Sequence, residues 1–213
     1  VSGRCFLSHH LFGRSANRGD CLQPCRREYK IIDTDEQDNE LVLGKGYVLS
    51  PKDLCALPFL DKLMSAGISC FKIEGRVRSP EYVKTVTGVY RTAIDAVKKG
   101  VFNKELVDKL QEKIKTVYHR GFSSGFYLGS PTADDFTDVY GSKATTKKVY
   151  IGFVKNFFKN KGVAEVKIEA GKLKVNDKIM VQGPTTGVKE QVVSSMQINH
   201  KPVNEAEKTD VGI

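Results

Sequence analysis

Residues 47–100, YVLSPKDLCALPFLDKLMSAGISCFKIEGRVRSPEYVKTVTGVYRTAIDAVKKG, decide how the first part of the chain is expected to fold. Tyr47-Val-Leu-Ser50 reads as a short strand. Ser50-Pro51 supplies an N-cap and a proline at the first helical position. The helix that follows would align Leu54, Leu57, Leu60 and Leu63 and stop at Gly67, with Pro58 marking a kink or break. Ile68-Ser-Cys-Phe-Lys-Ile73 reads as a second strand. Ser79-Pro80 repeats the cap chemistry, and Val83, Val86, Tyr90, Ile94 and Val97 recur at helical spacing up to Gly100. A shorter helix from Asn103 would bury Leu106, Leu110 and Ile114. Strand, helix, strand, helix implies parallel strands joined by crossovers, an α/β arrangement. Two such units cannot close a barrel, so the remaining strands are expected upstream of Val1 and the chain reads as a fragment.

Two other blocks flank this one. Residues 1–46 are polar and loop-rich, with an acidic stretch from Asp33 to Glu40 that suggests an exposed insertion or hairpin tip. Beyond a linker at 131–146, residues 147–213 form a series of short strands separated by turn signals, at 148–153, 162–168, 178–182, 190–196 and from Gly212. That is the pattern of a small all-β barrel, apparently cut before its last strand.

The 213 residues carry a formal charge of +9. Arg4, Arg14, Arg18, Arg26, Arg27 and Lys30 crowd the first block, and Lys143, Lys147, Lys148, Lys155, Lys159 and Lys161 occupy a stretch without acids. Clustered cations favour polyanions, RNA above all, because neutralising phosphates releases counterions. No apolar run approaches the roughly 20 residues that cross a bilayer.

The five cysteines are Cys5, Cys21, Cys25, Cys55 and Cys70. An odd number in a chain of this size argues against a secreted disulfide scaffold. Three of them fall in the segment that runs from Cys5 through Gly13-Arg-Ser-Ala-Asn-Arg-Gly-Asp-Cys21 to Leu-Gln-Pro-Cys25. Thiolates are soft ligands for zinc or iron–sulfur centres, and a proline-containing turn can turn Cys21 and Cys25 toward one metal. Cys5 would be the third ligand, and the fourth would be Cys55, His9, His10 or a cysteine upstream. The plainer reading is a set of buried free thiols. The arginines nearby could offset cluster charge or hold an anionic substrate.

Phe71-Lys-Ile-Glu-Gly-Arg76 would lie at the C-terminal end of a parallel strand, where chemistry gathers in barrels of this kind. Lys72, Glu74 and Arg76 are therefore the catalytic candidates, able to bind a carboxylate or phosphate; the alternative is a salt-bridged strand end. His119-Arg120-Gly-Phe122 reads either as a substrate loop or as a plain turn. The sequence contains no His-Glu-x-x-His, Gly-x-Ser-x-Gly, Gly-x-Gly-x-x-Gly or P-loop motif.

Gly3-Arg-Cys-Phe-Leu-Ser8, Asn17-Arg-Gly-Asp-Cys-Leu-Gln-Pro-Cys-Arg26, Ser50-Pro-Lys-Asp-Leu54, Phe71-Lys-Ile-Glu-Gly-Arg76 and Arg120-Gly-Phe122, in that order, closely resemble the peptidase U32 (collagenase-like) family. Members were named as peptidases, while better-understood relatives are oxygen-independent hydroxylases of tRNA, ribosomal RNA or the ubiquinone ring. The resemblance implies the C-terminal part of a TIM-like barrel over residues 1–130, with a 4Fe–4S cluster on four cysteines. Cys5, Cys21 and Cys25 match three ligand positions, and the fourth cysteine is expected before Val1. It also implies prephenate, a small organic acid, as co-substrate. By their charge and predicted position, Arg14, Arg18, Arg26 and Arg120 are the substrate-binding candidates. Residues 147–213 resemble the β-barrel domain of translation elongation factors at Gly171–Lys178 and Asp210–Gly212. These features suit a cytoplasmic RNA hydroxylase without a membrane partner. A true peptidase and a non-catalytic zinc and RNA-binding module are the alternatives.

Overall fold

The computed structural model describes residues 5–36, 38, 40–41 and 46–213, so Gly3 and Arg4 of the first motif, and part of the acidic stretch, lie outside the described residues. The chain divides into two compact units, 1–146 and 147–213. The architecture is mixed α/β with several small sheets rather than one continuous sheet.

In the first unit, α1 (Leu7–Phe12) is followed by single helical turns at Ala16–Arg18 and Pro24–Arg26. Then β1 (Ile31–Ile32) and β2 (Glu40–Leu41) pair antiparallel across the acidic stretch. β3 (Asp53–Leu54), α2 (Leu60–Ser65), α3 (Pro80–Lys98), α4 (Lys104–Lys115) and β4 (Phe122–Ser123) complete the unit. The two long helices obey their local signals. Pro80 occupies the first turn of α3 after Ser79, and the Asn103 side chain accepts the N–H of Leu106 to cap α4. Their apolar stripes meet: Val89 and Ala93 of α3 and Leu110 and Ile114 of α4 pack with Cys55, Leu57 and Leu60. This core is fully dry at Leu57, Leu60 and Ala93.

Three expectations fail around that core. Residues 47–50 form a turn rather than a strand, with the N–H of Ser50 bonded to the carbonyl of Tyr47. The helix expected after Ser50-Pro51 does not begin there. Pro51 makes an isolated bridge to Phe136, Asp53–Leu54 is strand, and helix begins only after a 3₁₀ turn at Leu57–Phe59. Leucines at helical spacing do not reveal that the preceding backbone has a pairing partner elsewhere. Residues 68–73 are irregular, because no neighbouring strand pairs with them among the described residues. The parallel pair that does exist joins β3 to β4, with Asp53 opposite Phe122 and Leu54 opposite Ser123. The segment 131–146 is tied to the first unit: Thr137 donates to the Ser50 carbonyl, Lys143 to that of His119 and Thr145 to that of Lys115.

The second unit is all β: β5 (Gly152–Phe158), β6 (Val163–Ile168), β7 (Lys172–Lys174), β8 (Lys178–Gly183), β9 (Gly187–Val192), β10 (Gln197–Ile198), β11 (Lys201–Pro202), β12 (Glu205–Glu207) and β13 (Asp210–Gly212). Five strands form one sheet in the order β11-β10-β13-β6-β5, beside a β8–β9 hairpin and a β7–β12 pair. Ile168, Leu173, Val193, Met196, Ala206 and Val211 close its core. No helix among the described residues is long and apolar enough to cross a membrane.

Candidate functional site

The parallel pairing of β3 with β4 organises a charged interior in the first unit. The N–H of Asp53 donates to the carbonyl of Gly121 at 3.0 Å, which brings Arg120 beside the Asp53 carboxylate. Gly121 sits at φ +89°, a conformation costly for residues with a Cβ. One carboxylate oxygen of Asp53 accepts the backbone N–H of Arg120 at 2.9 Å, and the other accepts the Arg120 guanidinium at 2.6 Å. The second oxygen also accepts Arg78, from just before α3, at 3.1 Å. Arg78 lies over the rings of Tyr118 and Tyr82, 4.5 and 5.0 Å from their centroids.

Arg26 reaches the same region from the turn that follows Cys25. One of its terminal nitrogens donates to Ser50 Oγ at 2.9 Å and to the Pro51 carbonyl at 3.1 Å. Burial, then repulsion from the nearby Arg120 charge, holds its pKa below the usual guanidinium value. The Nε atoms of Arg26 and Arg120 are both buried without a hydrogen-bond partner. So is Nε2 of His119, whose Nδ1 accepts the Gly121 N–H at 3.0 Å and whose ring stacks on Phe122. Nδ1 is therefore an acceptor, which puts the proton of the neutral ring on Nε2.

The cysteine segment adjoins this region. Ser8 Oγ in α1 accepts the N–H of Leu22 at 3.0 Å, and the Arg27 guanidinium lies 5.1 Å from the centre of the Phe12 ring. These contacts dock α1 against the loop of Cys21 and Cys25. Cys21 Sγ accepts the N–H of Gln23 at 3.3 Å. Cys5 is exposed, Cys21 and Cys25 are half-buried, and all three are free thiols. Among the described residues no three His, Cys, Asp or Glu side chains stand close enough together to hold a metal ion. The donor set nonetheless suits an iron–sulfur centre in kind: soft thiols on two segments of the chain, one already receiving an amide hydrogen bond of the sort that tunes such centres.

The remaining sequence candidates are scattered more widely. Glu74 Oε1 accepts its own loop's Arg76 N–H at 2.6 Å, which holds its carboxyl below the usual range. The Arg76 guanidinium donates to the Ala16 carbonyl at 2.8 Å, tying this loop to the cysteine segment. Lys72 is exposed, as is Arg18, and Arg14 pairs with Asp20 at the surface. Of the arginines flagged by sequence, the structure brings together Arg26 and Arg120. It adds Asp53, Arg78, Tyr82 and Tyr118, which sequence reasoning did not single out. The signal available for Asp53 was its place inside Ser50-Pro-Lys-Asp-Leu54; Arg78 had none beyond its nearness to Arg76.

The thiol at Cys55 belongs to the core. The Tyr90 hydroxyl contacts its sulfur at 3.8 Å, and burial pushes the thiol pKa up, opposite to the activation a nucleophile needs.

The model of Peptidase family U32 matches residues 1–137 of this chain. Among individual proteins, a collagenase of Porphyromonas gingivalis is 45% identical over 208 residues, 98% of this chain and 50% of the relative. An uncharacterized protease of Methanocaldococcus jannaschii is 44% identical over 217 residues, 100% of this chain and 53% of that protein. The tRNA hydroxylation protein P1 of Bacillus subtilis is 35% identical over 159 residues, 73% of this chain and 37% of its own. The chain thus spans about half the length of the first two. No solved structure matches.

Proposed function

The chain belongs to peptidase family U32, and on that premise we propose that it is part of an iron–sulfur-dependent enzyme that hydroxylates a base of tRNA or ribosomal RNA. The observation that carries this reading is the continuity of the cysteine loop with the arginine-rich interior: Cys25 is followed directly by Arg26, whose guanidinium reaches Ser50 and Pro51. A soft-ligand site and an anion-attracting site therefore share one turn. Cys5, Cys21 and Cys25 would hold three corners of a 4Fe–4S cluster, with a fourth cysteine from another part of the intact protein. Such a cluster supplies electron transfer for oxygen-atom transfer chemistry. The small organic acid would be prephenate, by analogy with hydroxylases of the family. The formal charge of +9 and the relative named for tRNA hydroxylation support an RNA partner.

A peptidase is the second reading, and the names of the collagenase and protease relatives favour it. The interior offers it little. Cys55 is a core thiol whose pKa is raised, and the buried His119 has no nucleophile bonded to either ring nitrogen.

The deciding experiment compares nucleoside profiles of tRNA and rRNA from a strain lacking the gene with the same strain carrying wild-type or Cys21→Ser protein. A hydroxylated nucleoside should vanish with the gene and return with the wild type alone. An unchanged profile ends the proposal. Iron and sulfide in anaerobically purified intact protein are expected; zinc in their place would point to a non-catalytic RNA-binding module. Collagen cleavage that survives iron removal but not Cys5→Ser would establish the peptidase.

A further inference from the structure

We propose that the outer face of β5 and the β5–β6 turn bind a single strand of RNA, with Phe153, Phe157 and Phe158 stacking on bases and Lys159 and Lys161 meeting phosphates. That the strand is RNA rests on the hydroxylase reading; the existence of the surface does not. The first argument is register. β5 is the outermost strand of its sheet and carries a bulge at Lys155, since Val154 faces Val166 while Asn156 faces Glu165. In a regular strand Phe153 and Phe158 would point to opposite faces. Across the bulge they stand opposite Lys167 and Val163, which share one face of β6. Val166, on the other face, packs against the core. Phe153 and Phe158 therefore stand together on the side turned away from the core, roughly 13 Å apart along the strand.

The second argument is exposure. Phe153, Phe157 and Phe158 are 46%, 54% and 45% exposed. Isolated apolar residues at a surface are ordinary, but three rings on one short strand mark a binding surface. A groove of about 420 Å³ opens at the turn, lined by Phe157, Phe158, Lys159, Asn160 and Lys161. Asn160 can both donate to and accept from the edge of a base held there.

The third argument is charge. From Lys147 to Ala164 there are five lysines and no acid. On the outer face, Glu165 and Asp210 are both held by Lys155 at 2.9 Å, so their charge is offset. Lys167 lies 6.0 Å from the centre of the Phe153 ring. Lys159 and Lys161 are exposed and enter none of the ion pairs found among the described residues. Aromatic rings beside cations suit unpaired nucleotides, whose base faces are open; in a duplex those faces are already stacked. An added protein strand fits less well, because a bulge and a lysine blunt this edge. A lipid surface would engage the turn but leave Phe153, at the far end of the strand, unused.

The test measures fluorescence anisotropy of an oligouridylate of about 10 nucleotides, a span such surfaces cover, and of a blunt RNA duplex of similar length. The intact protein is compared with Phe157→Leu, Phe158→Leu and the double variant Lys159→Gln/Lys161→Gln. Leucine keeps the apolar bulk and removes the ring. Each leucine variant should weaken oligouridylate binding about tenfold and leave duplex binding unchanged. The double lysine variant should make the slope of log affinity against log salt shallower by about 1.4. Melting curves check that the variants are folded. Oligouridylate affinity unchanged in the folded leucine variants overturns the proposal, as do equal losses for single strand and duplex. Binding to phosphatidylcholine–phosphatidylserine vesicles that the lysine variant abolishes, with oligouridylate affinity intact, assigns the face to lipid and also overturns it. The nucleoside profile is a separate readout. If the profile is unchanged without the gene and the leucine variants still lose oligouridylate, the hydroxylase reading falls and the surface stands.

Discussion

Replacing Asp53 by alanine should destabilise the first unit more than any surface charge change. The carboxylate accepts three hydrogen bonds, from the Arg120 backbone, the Arg120 guanidinium and Arg78. Without it, a guanidinium with 6% of its side chain exposed keeps its charge and loses its ion-pair partner. Removing one member of a buried pair costs about 3–5 kcal/mol. Asp53 and Arg78 retain 18% and 16% exposure, so water can reach part of the group and the lower end, about 3 kcal/mol, is expected. For a domain of this size each kcal/mol moves the midpoint roughly 2–4 °C, giving a fall of roughly 6–12 °C. The chain has no Trp, so far-UV circular dichroism of α3 and α4 is the suitable probe. Asp95→Ala, which breaks the exposed pair with Arg91, is the control and should leave the midpoint nearly unchanged. A loss below about 1 kcal/mol for Asp53→Ala would mean that Arg120 does not depend on this carboxylate, and the account of the buried cluster would be wrong.

Three further outcomes follow from single contacts. Tyr90→Phe removes the hydroxyl that accepts the Ala56 N–H at 3.0 Å, and should cost about 1–2 kcal/mol in urea titrations. His119 has its pKa lowered by burial, so the unfolded chain takes up the proton first: stability should fall as pH drops below about 6.5 and level off beneath the lower folded pKa, and His119→Asn should remove that slope from melting curves. Gly152→Ala would drive a Cβ into the Lys167 carbonyl across the β5–β6 pair, so amide exchange in these two strands should rise sharply while α3 and α4 stay protected.

What the sequence made legible was what local chemistry decides. Pro80 and Asn103 announce helix starts because a proline in the first turn and a side-chain cap both act within three residues, and α3 and α4 begin there, although the side chain of Ser79, expected as a cap, makes no cap hydrogen bond. Gly171 and Asn176-Asp177 announce turns in the second unit for the same reason, since Asn176 and Gly171 take positive φ. Residues 68–73 look like a strand by composition, yet a strand exists only where a neighbour accepts its backbone bonds. Conversely, β3 is two residues long with no alternation to read, and it is strand because Gly121 and Ser123 lie alongside.

The charged interior follows the same logic at longer range. Arg26 and Arg120 could be flagged because they stood inside recognisable motifs, but nothing local distinguishes them from Arg14 and Arg18, which remain exposed. What separates the two pairs is the β3–β4 register: once Asp53 faces Phe122, the residue two before Phe122 must sit beside the Asp53 carboxylate. Arg120 is therefore buried by strand pairing, Arg78 is brought in from the start of α3, and Arg26 arrives because the turn containing Cys25 docks on Ser50. A charge becomes part of a site through the backbone that delivers it, and in this chain the carriers converge from segments up to 94 positions apart.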